Sequence, residues 1–192
     1  SLNYNQFNKN EKILNLNFIY FDNSVFDIYS NFFSGSCLVP ILNKDVNNPD
    51  TLKNLILENK CTSWFSVPSL ILYLNKFKFF DDKKYLNSIK RIIFGGEGMP
   101  LSKLFTIYEN HKHKINFYNV YGPTECTCIC SSYLIEDIDF KTNSKLPPIG
   151  KLNDNFDYLL LNKKNKKCKP NEIGEIYLIG PCVGKGYLNN LI

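Results

Sequence analysis

Seven consecutive residues, Asn119-Val120-Tyr121-Gly122-Pro123-Thr124-Glu125, bring an amide, an aromatic ring, a hydroxyl and a carboxylate together directly after the apolar pair Phe117-Tyr118. Proline has no amide donor and glycine accepts unusual dihedrals, so Gly122-Pro123 ends the strand and presents Thr124 and Glu125 at its carboxyl end. Open α/β sheets bind ligands at that end. Tyr121 is suited to cover a flat ring, and Thr124 and Glu125 to meet phosphate and a cation. The plainer reading of the same residues is a strand-ending turn. A second candidate is Asp22, ahead of Asn23-Ser24-Val25-Phe26. A carboxylate there can meet an ammonium group at the mouth of an apolar pocket, or simply favour the start of a helix.

The elements that must position these residues are set by periodicity. From Ile13 to Tyr121 short apolar runs alternate with helix-periodic segments, the pattern of a mainly parallel sheet with helices on both faces. Strands are expected near Ile13–Phe21, Cys37–Leu42, Thr62–Val67, Ile89–Phe94 and Ile115–Tyr121. The first helix is expected to gather Val25, Ile28, Tyr29, Phe32 and Phe33 on one face, with Ser24 capping its start and Gly35 ending it. Asn48-Pro49 has the form of a cap followed by proline at the first helical position, with Leu52, Leu55 and Ile56 as the buried stripe. Pro68 opens a third helix, and Pro100 a fourth with Leu101, Leu104 and Ile107 inward. After Glu125 the segments Cys126–Ile135, Phe156–Leu161 and Glu175–Ile179 look like antiparallel strands. Leu146-Pro147-Pro148-Ile149-Gly150 is a stiff connector, dividing an α/β unit at 1–145 from an antiparallel β unit that starts at 146 and runs to 192.

Composition narrows the function classes. With 44% apolar and 21% charged residues in 192, the chain is that of a soluble globular domain. A net charge of +5, with lysines interleaved among Asn, Asp and Glu, leaves no nucleic-acid footprint. Its densest basic stretch, Lys163 to Lys169, reads as a solvated hairpin tip. No apolar stretch approaches the ~20 residues of a membrane span. Seven cysteines, an odd number without a leader segment, imply reduced thiols and a cytoplasmic setting. Cys126, Cys128 and Cys130 alternate, which on a strand sends Cys128 to the opposite face and prevents a shared metal. His111 and His113 sit in the polar patch Asn110 to Lys114 and are expected to be solvated at a helix end.

Tyr121-Gly122-Pro123-Thr124-Glu125 resembles the nucleotide-binding signature of the adenylate-forming (AMP-binding) enzymes, in particular amino-acid adenylation domains of the nonribosomal peptide synthetase and D-alanine–carrier protein ligase type. Phe21-Asp22-Asn23-Ser24-Val25-Phe26 resembles the family's amino-acid-recognition segment, and Phe94-Gly95-Gly96-Glu97 its adenine-side loop. Gly174-Glu175-Ile176-Tyr177-Leu178-Ile179-Gly180, with Val183 and Gly186-Tyr187-Leu188-Asn189, is similar to a later structural motif. The family's glycine-rich phosphate loop has no counterpart before Asp22, and its ribose-binding aspartate and catalytic lysine none after Asn189. The resemblance thus implies the central part of a longer ligase, inactive by itself. In fold it implies a distorted, partly barrel-like β subdomain beside the α/β sheet.

It implies a reaction as well: an amino acid carboxylate attacks the α-phosphate of ATP, and the acyl group then passes to a thiol, usually the phosphopantetheine of a carrier protein. Catalysis in such a scheme rests on aligning two anions and neutralising phosphate charge with Mg2+. Asn119 would meet the adenine edge, Tyr121 stack on the ring, Thr124 contact phosphate and Glu125 ligate Mg2+. Gly95, Gly96 and Glu97 would form the other wall around adenine. Asp22 would meet the substrate ammonium, over a pocket of Asn23, Phe26, Phe65, Ile93, Gly95, Val120, Cys128 and Ile129. That lining carries no charge, which favours an apolar, branched aliphatic amino acid, although Asn23 admits a polar substituent. Two other readings stand beside this one: a non-catalytic truncated module, and an acyl-CoA-type ligase.

Overall fold

The computed structural model describes residues 7–189, so the outer ends of the two expected units lie outside the described residues. Among the described residues, β1 (Lys12–Asn15), β2 (Cys37–Pro40), β3 (Ser63–Ser66), β4 (Arg91–Gly95), β5 (Asn116–Tyr121), β6 (Ser131–Leu134) and β7 (Lys151–Leu152) form one sheet in the order 2-1-3-4-5-6-7. The first five strands are parallel, and β6 and β7 extend the sheet antiparallel. A separate antiparallel hairpin pairs β8 (Asp157–Leu161) with β9 (Glu175–Ile179), and Lys163 to Lys169 lie at its tip. Helices α1 (Asn23–Ser34), α2 (Pro49–Asn59), α3 (Pro68–Lys76) and α4 (Leu101–His111) connect the parallel strands. The expected α/β layout with antiparallel structure after it is therefore present. Two-residue β7, beyond the Pro147-Pro148 connector, still pairs with β6.

Strand alternation divides the buried residues between two faces. On one, Leu14, Trp64, Ile92, Phe94 and Phe117 meet Leu52 and Ile56 of α2, Ile71 and Leu74 of α3, and Leu104 and Ile107 of α4. On the other, Ile13, Phe65, Ile93, Tyr118 and Val120 pack with Phe7, Phe26 of α1 and Cys128. The expected starts of α2 and α4 are observed. Asn48 Oδ1 accepts from the N–H groups of Asp50 and Thr51 at 3.1 and 3.2 Å, and α4 begins directly after Pro100.

Helix α1 departs from its expected orientation. Tyr29, Phe32 and Phe33 are exposed, the last two at 76% and 73%, while Ser24, Phe26, Asp27, Ser30 and Asn31 are buried. A polar network turns the helix. Asp27 Oδ2 accepts from Asn15 Nδ2 and Asn17 Nδ2, both at 2.9 Å, and Asn31 Nδ2 donates to the Asp27 carbonyl. Ser24 is not the cap. It lies inside the first turn and donates to the Ile19 carbonyl at 3.3 Å, while Asp22 occupies the cap position. Gly35 ends the helix at φ 66°, as expected.

Two further expectations need correction. The strand expected from Cys126 begins only at Ser131, because Thr124–Cys126 form a 3-10 turn and Thr127 and Cys128 sit at φ 60° and 74°. A left-handed pair cannot continue an extended strand, so side-chain alternation does not apply to those cysteines. His111 is buried rather than solvated. Its Nε2–H donates to the Phe80 carbonyl at 2.7 Å, and burial, opposed by that bond, lowers its pKa. His113 is exposed.

Candidate functional site

In the parallel order 2-1-3-4-5 the progression of strands reverses between β1 and β3, and ligands in such sheets bind beyond the strand ends at that switch point. A cavity of about 820 Å³ lies there. Its wall is built by Leu16, Asn17 and Phe18 after β1, Ser66 at the end of β3 and Val67 after it, Gly96 and Glu97 after β4, and Gly122 to Thr124 after β5. Asp22 and Asn23 at the start of α1 also line it. The Asp22 side chain makes no capping hydrogen bond.

A second cavity of about 420 Å³ shares Gly96, Glu97, Gly122 and Pro123 with the first. Asn119 and Tyr121 form one side, Gly96 to Met99 another, and Leu146, Pro147 and Ile149 the third. That third side had no site-like signal in the sequence, where Pro147-Pro148 announced only stiffness. Asn119 Nδ2 donates to the Pro148 carbonyl at 2.8 Å, which leaves Oδ1 as the acceptor of that side chain. Gly95 is needed where β4 meets β5, since a Cβ there would lie 2.4 Å from the Val120 carbonyl oxygen. Gly122 is tighter still. A Cβ would fall 1.6 Å from the Cys128 carbonyl oxygen, so the loop 122–130 closes on itself only with glycine at its start.

Phe26, Phe65, Ile93, Val120 and Cys128 form one buried cluster with Ile129 packed against it. The rings of Phe26 and Phe65 meet edge-on at 5.3 Å. Of these residues only Val120 lines either cavity. Burial and the nearby Asp22 carboxylate push the Cys128 thiol up to about 12, so it is a neutral member of this cluster.

Two carboxylates of the site are already engaged. Glu97 accepts from the backbone N–H of Ser69 at 3.0 Å and its hydroxyl at 3.1 Å, closing the first turn of α3. Glu125 Oε1 accepts from the Tyr187 hydroxyl at 2.9 Å, and the Glu125 carbonyl accepts from Gly184 N–H at 2.6 Å. Its own backbone N–H and the Tyr187 hydroxyl hold the Glu125 carboxyl below its usual range, so the exposed group is anionic at neutral pH. Tyr187, Asn17 and Asp27 were not legible as site residues, because each depends on a partner brought from elsewhere in the chain.

Comparison with known proteins agrees with this geometry. The AMP-binding enzyme family profile matches residues 2–188. Bacitracin synthase 1 of Bacillus licheniformis is 31% identical over 187 residues, which cover 97% of this chain and 3% of that protein. D-alanine–D-alanyl carrier protein ligase of Bacillus velezensis is 30% identical over 88% of this chain and 33% of the ligase. Among solved structures, holo-PA1221, an NRPS protein containing adenylation and PCP domains, superposes with a TM-score of 0.81 at 25% identity. That match covers 96% of this chain and 31% of the other. The chain thus spans a third or less of these relatives, and the profile match over nearly its whole length makes it a member of the AMP-binding enzyme family.

Proposed function

We propose that this chain is the central part of an ATP-dependent ligase that activates an amino acid as its adenylate and passes the acyl group to a carrier-bound phosphopantetheine thiol. The observation that carries the reading is the wall of Gly96, Glu97, Gly122 and Pro123 common to both cavities. A nucleotide in the smaller cavity and an amino acid in the larger would meet over that wall. Holding two anions in line is most of what such a reaction needs from a protein.

Asn119 Oδ1 offers an acceptor to an exocyclic amine in the smaller cavity, and Tyr121 offers its ring. Thr124 reaches the larger cavity from the shared wall. Glu125 has one carboxylate oxygen bonded to Tyr187, which leaves Oε2 to hold Mg2+. Magnesium, when bound, supplies charge neutralisation to phosphate. Asp22 faces the larger cavity without a capping bond, and an ammonium ion is the partner that stabilises a carboxylate there. Leu16, Phe18, Val67, Leu70 and Tyr73 give that cavity an apolar lining, which supports an apolar, branched aliphatic amino acid. The β8–β9 hairpin supports a β subdomain beginning near residue 146. Free thiols at every cysteine support a cytoplasmic setting, and among the described residues no helix is long and apolar enough to cross a membrane.

The test is calorimetric titration of this chain with a stable aminoacyl-adenylate mimic, leucine joined to adenosine through a sulfamoyl group, and with AMP. Asp22→Asn should weaken the leucyl mimic at least about thirtyfold and leave AMP unchanged. Equal affinity of Asp22→Asn and the unaltered chain for the leucyl mimic would remove the case for an amino acid. Stronger binding of a des-amino mimic than of the leucyl one would favour an acyl-acid ligase.

A further inference from the structure

Asn17 lies on the wall of the larger cavity together with Asp22. Its side-chain amide is oriented by two oxygen atoms that accept from it. Nδ2 donates to Asp27 Oδ2 at 2.9 Å and to the Phe65 carbonyl at 3.0 Å. Both amide hydrogens are thereby used inside the protein, and the amide cannot be turned over without facing oxygen with oxygen. The polar atom left to the cavity is Oδ1, on which no donor converges among the described residues.

Asp27 is the group that fixes this orientation. It is fully buried, and its Oδ2 takes Asn15 Nδ2 at 2.9 Å and the backbone N–H of Asn17 at 3.4 Å besides Asn17 Nδ2. Its Oδ1 is buried without a partner, and burial raises the carboxyl's pKa to about 7. We infer that Asn17 Oδ1 is a second acceptor for the ligand's ammonium group, in the same cavity wall as Asp22, and that Asp27 is the positioning residue that aims it. The inference rests on the amino-acid reading above. A primary ammonium has three N–H donors, and a single carboxylate at a cavity mouth does not satisfy them all. A neutral carbonyl oxygen adds an acceptor without adding charge.

The experiment measures, on the full chain, the ratio of affinities for the leucyl mimic and for its des-amino counterpart, 4-methylpentanoyl joined to sulfamoyl adenosine. Both titrations use one protein preparation, so a variant that is partly unfolded changes both values and leaves the ratio intact. Asn17→Ala should lower the preference for the aminated mimic at least about fivefold. Asp27→Ala removes the acceptor that holds Asn17 Nδ2 and frees its amide to turn over, so it should lower the same preference while the des-amino mimic binds as before. An unchanged ratio in Asn17→Ala, with Asp22→Asn still lowering it, overturns this inference and spares the amino-acid reading. Unchanged ratios in both, or no binding of either mimic by the unaltered chain, overturn the reading and the inference together.

Discussion

The two faces of the sheet are built on different terms. One is covered by α2, α3 and α4 and is built mainly of aliphatic and aromatic side chains, with Trp64, Phe79, Phe80, Phe94 and Phe117 all under 2% exposed and His111 the buried polar ring among them. The other is covered by α1, and beside its small apolar cluster it buries Ser24, Asp27, Ser30 and Asn31. Hydrophobic burial with few polar commitments holds a sheet together at least cost. Polar groups that need specific partners fix geometry at the expense of stability. The difference teaches that the broad face keeps the chain folded and the narrow face keeps the strand ends in one arrangement, and the expected pocket residues Phe26, Phe65, Ile93, Val120 and Cys128 all belong to the narrow face.

The strongest attempt to break that division is a paired truncation. Phe94→Ala, on the broad face, should cost about 3–5 kcal/mol in urea unfolding, with the preference among acyl mimics unchanged. Phe26→Ala, at the edge of the narrow cluster, should cost about 2–3 kcal/mol and shift that preference toward bulkier side chains. A change of preference in Phe94→Ala, or none in Phe26→Ala, would dissolve the division.

A smaller effect is expected from Glu11, which is buried and bridges Lys90 at 2.8 Å and Arg91 at 3.1 Å. Arg91 in turn stacks on Phe7 of the narrow cluster at 4.9 Å. Burial raises the Glu11 pKa, but hydrogen bonds from Lys90 and Thr62 and the charges of Arg91 and Lys90 outweigh it, and the net shift is downward. A carboxyl whose pKa is lower in the folded state contributes stability above its unfolded pKa and loses it as pH falls through the folded value. Glu11→Gln should therefore cost about 2–3 kcal/mol at pH 7, with the gap to the unaltered chain closing below pH 4. A gap that stays constant from pH 7 to pH 3 would show that the ion pairs contribute nothing.

The smallest effect concerns Ser69, whose hydroxyl donates to Glu97. Ser69→Ala keeps the backbone N–H bond to the same carboxylate. It should cost about 0.5–1 kcal/mol of stability and weaken AMP binding less than about threefold. A larger loss of AMP binding would mean that Glu97 acts directly on the nucleotide.

Much of the broad face was legible because its signals are local. Leu52 and Ile56, or Leu104 and Ile107, declare their face by spacing, and Asn48 declares its cap by type. The narrow face was not, because its determinants are distant. Spacing placed Tyr29, Phe32 and Phe33 inward, and only the arrival of Asn15 and Asn17 beside Asp27 turns α1 the other way. The site was half legible for the same reason. Asp22, Asn119, Tyr121 and Glu125 stand in continuous motifs, whereas Leu146 and Ile149 become a wall only through the bond from Asn119 to Pro148.

The four-residue partition between the cavities has a thermodynamic consequence. Gly96, Glu97, Gly122 and Pro123 line both cavities, so an occupant of one that displaces them changes the affinity of the other. Whatever factor the first occupant adds to the affinity of the second, the second returns to the first in full. Such reciprocity makes the order of addition irrelevant at equilibrium, and it lets one cavity be assayed through the other.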